Sequence, residues 1–185
     1  MKKLSEYDFQ AGEVLVMDKP RTWTSFGVVK RARWLISKHL GVKRVKIGHA
    51  GTLDPLASGV LILCTGKMTK QIEKFQAGEK EYIAHIRFGE TTPSYDLETE
   101  VDQKYPTEHI TTELLEEKMK QFIGEQEQTP PIFSAKKIDG KRAYESARKG
   151  KEVIMRKSLI TIYELEIIEN NFPDIKLRVR CGKGT

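Results

Sequence analysis

Cysteine is nearly absent from this 185-residue chain. Cys64 and Cys181 are the two present, far apart and without Cys-x-x-Cys spacing. That pattern excludes a disulfide framework and predicts two free thiols in a reducing compartment. Histidine is sparse as well. His39, His49, His85 and His109 are scattered, with no metal-ligand spacing and no cysteine nearby, so no metal is expected. Long apolar runs are missing. The longest, Val60 to Cys64, is far too short to cross a bilayer. The opening segment MKKLSEYDFQ has two lysines but no apolar stretch behind them, so no signal peptide is visible. A cytoplasmic protein with no membrane contact is expected. Nucleotide fingerprints also fail. Six residues separate Gly59 from Gly66-Lys67 and Met68 follows the lysine, whereas a phosphate-cradling loop needs four residues and then Ser or Thr. CGKGT fails because Gly184 follows Lys183, and no Gly-x-Gly-x-x-Gly occurs. No cofactor is therefore expected. Repeats, low-complexity tracts and linker-like stretches are also lacking, and the length suits one domain with a real core.

What is present is charge, unevenly placed. Apolar residues make up 38% and charged residues 31%, the composition of a globular chain rather than a disordered one. Lys and Arg total 32 against 26 Asp and Glu, a formal charge of +6. Seven basic residues and no acidic one lie between Lys30 and Lys46. Seven more lie between Lys136 and Lys151, against Asp139 and Glu145 alone. The acids gather between Glu98 and Glu127. Two such zones can track a phosphate backbone, or can be two solvated helix faces.

Hydrophobic periodicity places the elements. Residues 13–18 read as a strand stopped by Pro20. Thr24 or Ser25 can cap a helix from about Phe26 to Leu40, with Val28, Ala32, Leu35 and Ile36 on one side and Gly41 at its end. A glycine-rich loop follows, then a buried strand GVLILC, then a helix with Met68, Ile72 and Phe75 at i, i+4 and i+7. EYIAHIRFG reads as a strand with Tyr82, Ala84, Ile86 and Phe88 on one face. Residues 91–108 form a polar connection, and a helix covers about Thr112 to Ile123. Pro130-Pro131 and Asp139-Gly140 mark 125–140 as loop and turn. A short basic helix KRAYESARK follows. Strands near 158–168 and 174–181 finish the chain, the second alternating Ile175, Leu177, Val179 and Cys181 with Lys176, Arg178 and Arg180. Strands and helices mix without βαβ rhythm, which predicts an α+β fold. The chain stops at CGKGT directly after a strand, so a dissected or shortened domain is expected, with the edge of that final strand exposed.

One segment concentrates chemistry. In GHAGTLDPLASG, residues 48–59, Gly48, Gly51 and Gly59 allow sharp turns and close ligand approach. Pro55 biases Asp54 towards extended backbone. A carboxylate held on such a loop beside a buried strand is placed for nucleophilic work. An Asp-Pro turn of structural use alone fits the same residues. Tyr82, after the charged run GEKE, can stack on a base or serve as an ordinary core tyrosine.

GHAGTLDPLASG closely resembles the signature of the TruB family, the bacterial tRNA pseudouridine-55 synthases. The likeness begins at GEVLVMDKPRTWTS (12–25) and runs through the signature and GKMTKQIEKF. It continues in KEYIAHIRFGETTPSYDLE, resumes at QTPPIFSAKKIDGKRAYESARKGKEV and closes with RVRCGKGT. Nearly the whole chain is covered, in order. The resemblance implies a pseudouridine synthase fold, with a central mixed, mostly antiparallel sheet flanked by helices. It implies that Asp54 is the catalytic aspartate. His49 is then the histidine that enters the T-loop and supports the flipped-out nucleotide, and Tyr82 stacks on the target uracil. Lys19 and Pro20 support the site from beneath, and Gly51 lets substrate approach. Residues about 125–153 become an insertion that clamps the RNA arm, with Lys136, Lys137 and Arg142 on RNA. The family pattern continues past KGT with a tyrosine and an arginine that pairs with the aspartate, so 1–185 is expected to be a catalytic domain incomplete at its C-terminus.

The implied reaction isomerises uridine to pseudouridine at position 55 in the T-arm of tRNA. It uses the Asp carboxylate and base flipping, by a monomer with neither metal nor cofactor. Two other readings stay open: a guide-dependent pseudouridine synthase, and a non-catalytic RNA-binding or RNA-folding module.

Overall fold

A computed structural model of the chain describes residues 4–130, 137–138, 141–142 and 157–185. The chain falls into two compact units, residues 1–77 and 78–185.

The first unit is a three-stranded sheet with one long helix. Strand β1 (Val14–Lys19) pairs antiparallel with β3 (Gly59–Thr65), which pairs antiparallel with β2 (Ile47–His49), in the order β1-β3-β2. Helix α1 (Ser25–His39) starts where expected, because the Thr24 side chain accepts the Gly27 N–H at 2.9 Å. Val28, Val29, Ala32 and Ile36 are buried and pack with Phe9, Val45, Ile47, Leu61 and Leu63. Leu35, expected in that stripe, is instead 47% exposed. The buried stripe is centred between Val29 and Ala32, and Leu35 falls roughly 90° from it around the helix. Leu61 and Leu63 are almost wholly buried, and truncating such a leucine costs about 2–5 kcal/mol. This core makes β3 a rigid backing for the loop that precedes it.

The helix expected around Met68, Ile72 and Phe75 is two pieces, a 3-10 segment Gly66–Gln71 and then helix α2 (Ile72–Ala77). Gly66 sits at φ +48, and its N–H donates to the Lys46 carbonyl at 2.9 Å. An added Cβ there would strike the Gln10 backbone, so the turn from β3 into the helix is possible only with glycine.

The second unit is a four-stranded sheet, β4-β11-β10-β7, formed by β4 (Lys80–Arg87), β7 (Gly124–Gln128), β10 (Ser158–Asn171) and β11 (Asp174–Cys181). All ladders among the described residues are antiparallel. Ile160, Ile162 and Cys181 form its buried cluster, with Leu165 and Val179 packed against them. Ile175 and Leu177 are buried and the intervening Lys176, Arg178 and Arg180 are not, as the alternation predicts. Short strands β5 (Glu90–Thr91) and β6 (Gln103–Lys104) pair across the polar connection. Helix α3 (Thr112–Lys120) is capped by Thr111, whose side chain accepts the Leu114 N–H.

Three expectations need correction. Strand β7 takes in residues 125–128, the start of the expected 125–140 loop, and pairs with the first part of β10. The run GEQEQ has no apolar side chain, so its pairing was invisible in its own sequence. The final strand is not an edge, because β11 lies between β4 and β10. The basic helix expected from 141 begins differently. Lys141–Arg142 is strand β9, hydrogen-bonded to β8 (Lys137–Ile138), and 143–149 lie outside the described residues. Among the described residues no helix is long and apolar enough to cross a membrane. Cys64 and Cys181 are both free and buried, and burial pushes the Cys64 thiol up.

Candidate active site

The glycine-rich loop bridges β2 and β3 and is pinned from below on both sides of Asp54. Ser25, buried at the first turn of α1, accepts the Leu53 N–H at 2.9 Å and donates its hydroxyl to the Leu53 carbonyl at 3.1 Å. On the other side, the Pro55 carbonyl accepts the Thr22 N–H at 2.7 Å and Lys19 Nζ at 3.4 Å. The Asp54 carbonyl accepts the Ala57 N–H at 3.1 Å, closing a turn. Asp54 itself is exposed. The backbone around the carboxylate is therefore held at three successive residues while its side chain faces outward. That combination suits a nucleophile better than a buried structural turn.

Lys19 is 0% exposed at the end of β1. Its ammonium donates to the carbonyls of Trp23 at 2.6 Å, Pro20 at 3.1 Å and Pro55 at 3.4 Å. Three carbonyl acceptors use up its three donors, which is what makes a buried ammonium tolerable. Burial pushes its pKa below the ordinary 10.5, and attraction to Asp54 pulls it partly back. Lys19 thus ties the tight turn at 20–23 to the far side of the loop and places a cation near the carboxylate. Thr22 holds a left-handed φ of +73 in that turn, a strained state for a β-branched residue.

His49 ends β2, and its Nδ1–H donates to the Gly51 carbonyl. A carbonyl only accepts, so in the neutral ring Nε2 is left as an acceptor. Gly51 has φ +118 and an added Cβ would meet nothing within 4 Å. The loop is open at that point, as close approach of a ligand requires.

Lys19, His49, Gly51 and Asp54, all predicted from sequence, thus come together in the first unit. Tyr82 lies on β4 of the second unit, opposite Val179 and 39% exposed. Lys137 and Arg142 are register partners in the β8–β9 ribbon, and Lys136 lies outside the described residues. The sequence offers Ser25 only as a possible helix cap and gives no sign of the part Thr22 plays. The signal available was their position in KPRTWTS, but nothing in that run shows it reaching residues some thirty positions later. Among the described residues no cluster of three or more His, Cys, Asp or Glu is placed to hold a metal ion.

Residues 37–185 match the family model described as TruB family pseudouridylate synthase, N-terminal domain. The chain belongs to the TruB family. A tRNA pseudouridine synthase B of Phocaeicola vulgatus is 60% identical over 178 residues, covering 96% of this chain and 76% of the relative. That of Parabacteroides distasonis is 58% identical, with the same coverage. Among solved structures, one titled a Cbf5-Nop10-Gar1 complex matches with TM-score 0.65 and 28% identity. It covers 96% of this chain, which spans 41% of the length of that one. The TruB-family fold is therefore α+β in this chain, as expected.

Proposed function

We propose that this chain carries out the uridine-to-pseudouridine isomerisation at position 55 in the T-arm of tRNA, with Asp54 as the reacting carboxylate. The observation that carries this reading is the pinned backbone at Leu53, Asp54 and Pro55 beneath an exposed carboxylate. The relatives, each a tRNA pseudouridine synthase B, supply the substrate class.

The reaction breaks the uridine N1–C1′ bond, turns the uracil and joins C5 to C1′; C5 gives up its proton and N1 takes one up, so product and substrate are isomers. No electrons leave the substrate. Asp54 either adds to uracil C6 or attacks C1′ as the base departs. Both routes need an ionised carboxylate, and the buried Lys19 ammonium favours that state. The target base must leave its stack, at a cost of a few kcal/mol. Insertion of His49 into the T-loop, stacking of the uracil on Tyr82 and phosphate contacts from the basic zones offset it. The segment from about 125 to 153 acts as the RNA clamp, rooted in the sheet through β7. Residues 1–185 belong to the catalytic domain of a cytoplasmic enzyme, and span 76% of the length of the tRNA pseudouridine synthase B relatives.

Tritium release from tRNA labelled at uracil C5 tests the reading, with tRNA as the sole RNA present. Asp54→Asn is expected to abolish release and leave RNA binding intact. A variant that keeps its turnover removes Asp54 from the chemistry. Release that requires a second RNA assigns the chain to guide-dependent synthases.

A further inference from the structure

The first unit carries a second feature, built within the basic zone between Lys30 and Lys46. The C-terminal half of α1 and the turn after it enclose an open cleft of about 420 Å³. Lys30, Arg33, Trp34, Lys38, Lys43 and Arg44 line it, and no acidic residue does. Trp34 is 51% exposed, an unusual setting for the largest apolar side chain. The Arg31 guanidinium lies 4.9 Å from its ring centroid and the Lys38 ammonium 5.2 Å, so two cations hold the ring at the surface. Arg33 spends one N–H on the Ile47 carbonyl at 3.0 Å, while its buried Nε has no partner among the described residues.

We propose that this cleft binds an unpaired nucleotide of RNA, with the base stacked on Trp34 and the phosphate among Lys30, Lys38, Lys43 and Arg44. The inference rests on the reading of the substrate as RNA. Five lining cations without a counter-charge select a polyanion. The exposed indole selects an unpaired nucleotide, because a base inside a duplex offers no free face. A base on Trp34 displaces one of the two cations from the ring, and that cation then meets the neighbouring phosphate. Arg44 lies five residues before His49, at most about 18 Å along an extended chain. One RNA molecule can therefore occupy the cleft and the Asp54 loop together.

The test uses the 185-residue chain with Trp23→Phe, which leaves Trp34 as the fluorescent reporter, and a single-stranded oligouridylate as probe. Saturable quenching of Trp34 is expected. Trp34→Ala, followed by filter binding, weakens the oligonucleotide about fivefold or more. Lys43→Glu with Arg44→Glu lowers the salt slope of binding by about two. Since Trp34→Ala removes packing as well, Trp34→Phe serves as the folded control and retains most of the affinity. Binding of the oligonucleotide without any change in Trp34 emission overturns the proposal. So does a duplex of equal length that binds as tightly and quenches as strongly. Saturable quenching in a protein that retains Asp54 yet releases no tritium from tRNA keeps the cleft and rejects the catalytic reading instead.

Discussion

Ser25 and Leu53 are joined twice, the serine hydroxyl accepting the Leu53 N–H at 2.9 Å and donating to its carbonyl at 3.1 Å. One side chain thus satisfies both backbone groups of the residue before Asp54. Ser25→Ala leaves both unpaired, and a loss of about 1–2 kcal/mol of stability is expected. The functional effect should fall on kcat more than KM, because the carboxylate loses its position while the RNA-binding surfaces stay. Amide exchange at Leu53 provides an independent check. It should accelerate about tenfold for each 1.4 kcal/mol lost locally. Unchanged Leu53 exchange would mean that the loop is held by something else.

Lys19 makes the pH behaviour unusual. Its pKa in the folded chain lies below 10.5, chiefly because burial penalises the ammonium. Between the folded and unfolded values the unfolded chain binds more protons, so this group makes stability rise with pH. Its penalty is full below the folded pKa and is relieved as pH approaches 10.5. Denaturant unfolding of wild type and Lys19→Met, followed from neutral pH upwards, should show the positive contribution in wild type alone. Asp54→Asn should lower the Lys19 pKa further by removing the attraction, observable by NMR of the Lys19 side chain.

The contrast between Asp54 and Ser25 shows what the sequence could disclose. Asp54, His49 and Gly51 share one glycine-rich segment, where local chemistry is legible without a fold. Ser25 and Thr22 act on that segment from about thirty residues away, through β1 and α1, and only the folded chain brings them to it. Strands β1, β3, β10 and β11 were legible because their apolar residues alternate or run together. Strand β7 was not, because its GEQEQ sequence borrows its place from β10. Leu35 was misplaced for a geometric reason: it sits at the margin of a stripe whose centre is set by Val29 and Ala32.

Acid should weaken the second unit through one carboxylate in particular. Glu164 accepts from Arg180 at 2.8 Å and Arg178 at 3.2 Å, and Arg178 also reaches Glu166 at 2.7 Å and Glu81 at 3.2 Å. The Arg180 hydrogen bond, more than any other cause, holds the Glu164 carboxyl below its ordinary 4.5. A depressed carboxylate contributes stability that is full above its unfolded value and is lost as pH falls through the folded one. Glu164→Gln should therefore be less stable than wild type near neutrality, and the gap should close below pH 4.5. The gap should also narrow in high salt, because these groups are partly exposed to solvent. A difference insensitive to both would assign the effect to packing rather than charge.

Gly51 and Gly66 both hold positive φ, yet alanine should fail at them for different reasons. At Gly66 an added Cβ would strike the Gln10 carbonyl, lie 2.8 Å from its carbon and approach the Phe9 carbonyl to 3.0 Å. Backbone cannot swing aside as a side-chain tip can, so Gly66→Ala should cost about 2–3 kcal/mol. Turnover per folded molecule should survive it. At Gly51 nothing lies within 4 Å, so Gly51→Ala carries only the strain of its φ, about 1–2 kcal/mol. The new methyl would stand in the open approach beside His49 and Asp54, and a displacement of about 1 Å there can lower turnover about 100-fold. Thermal melting and single-turnover conversion, measured on both variants, separate the two effects. Gly51→Ala should be the more stable of the pair and the less active. The reverse order would show that the opening at Gly51 serves only the turn, not the approach of the substrate.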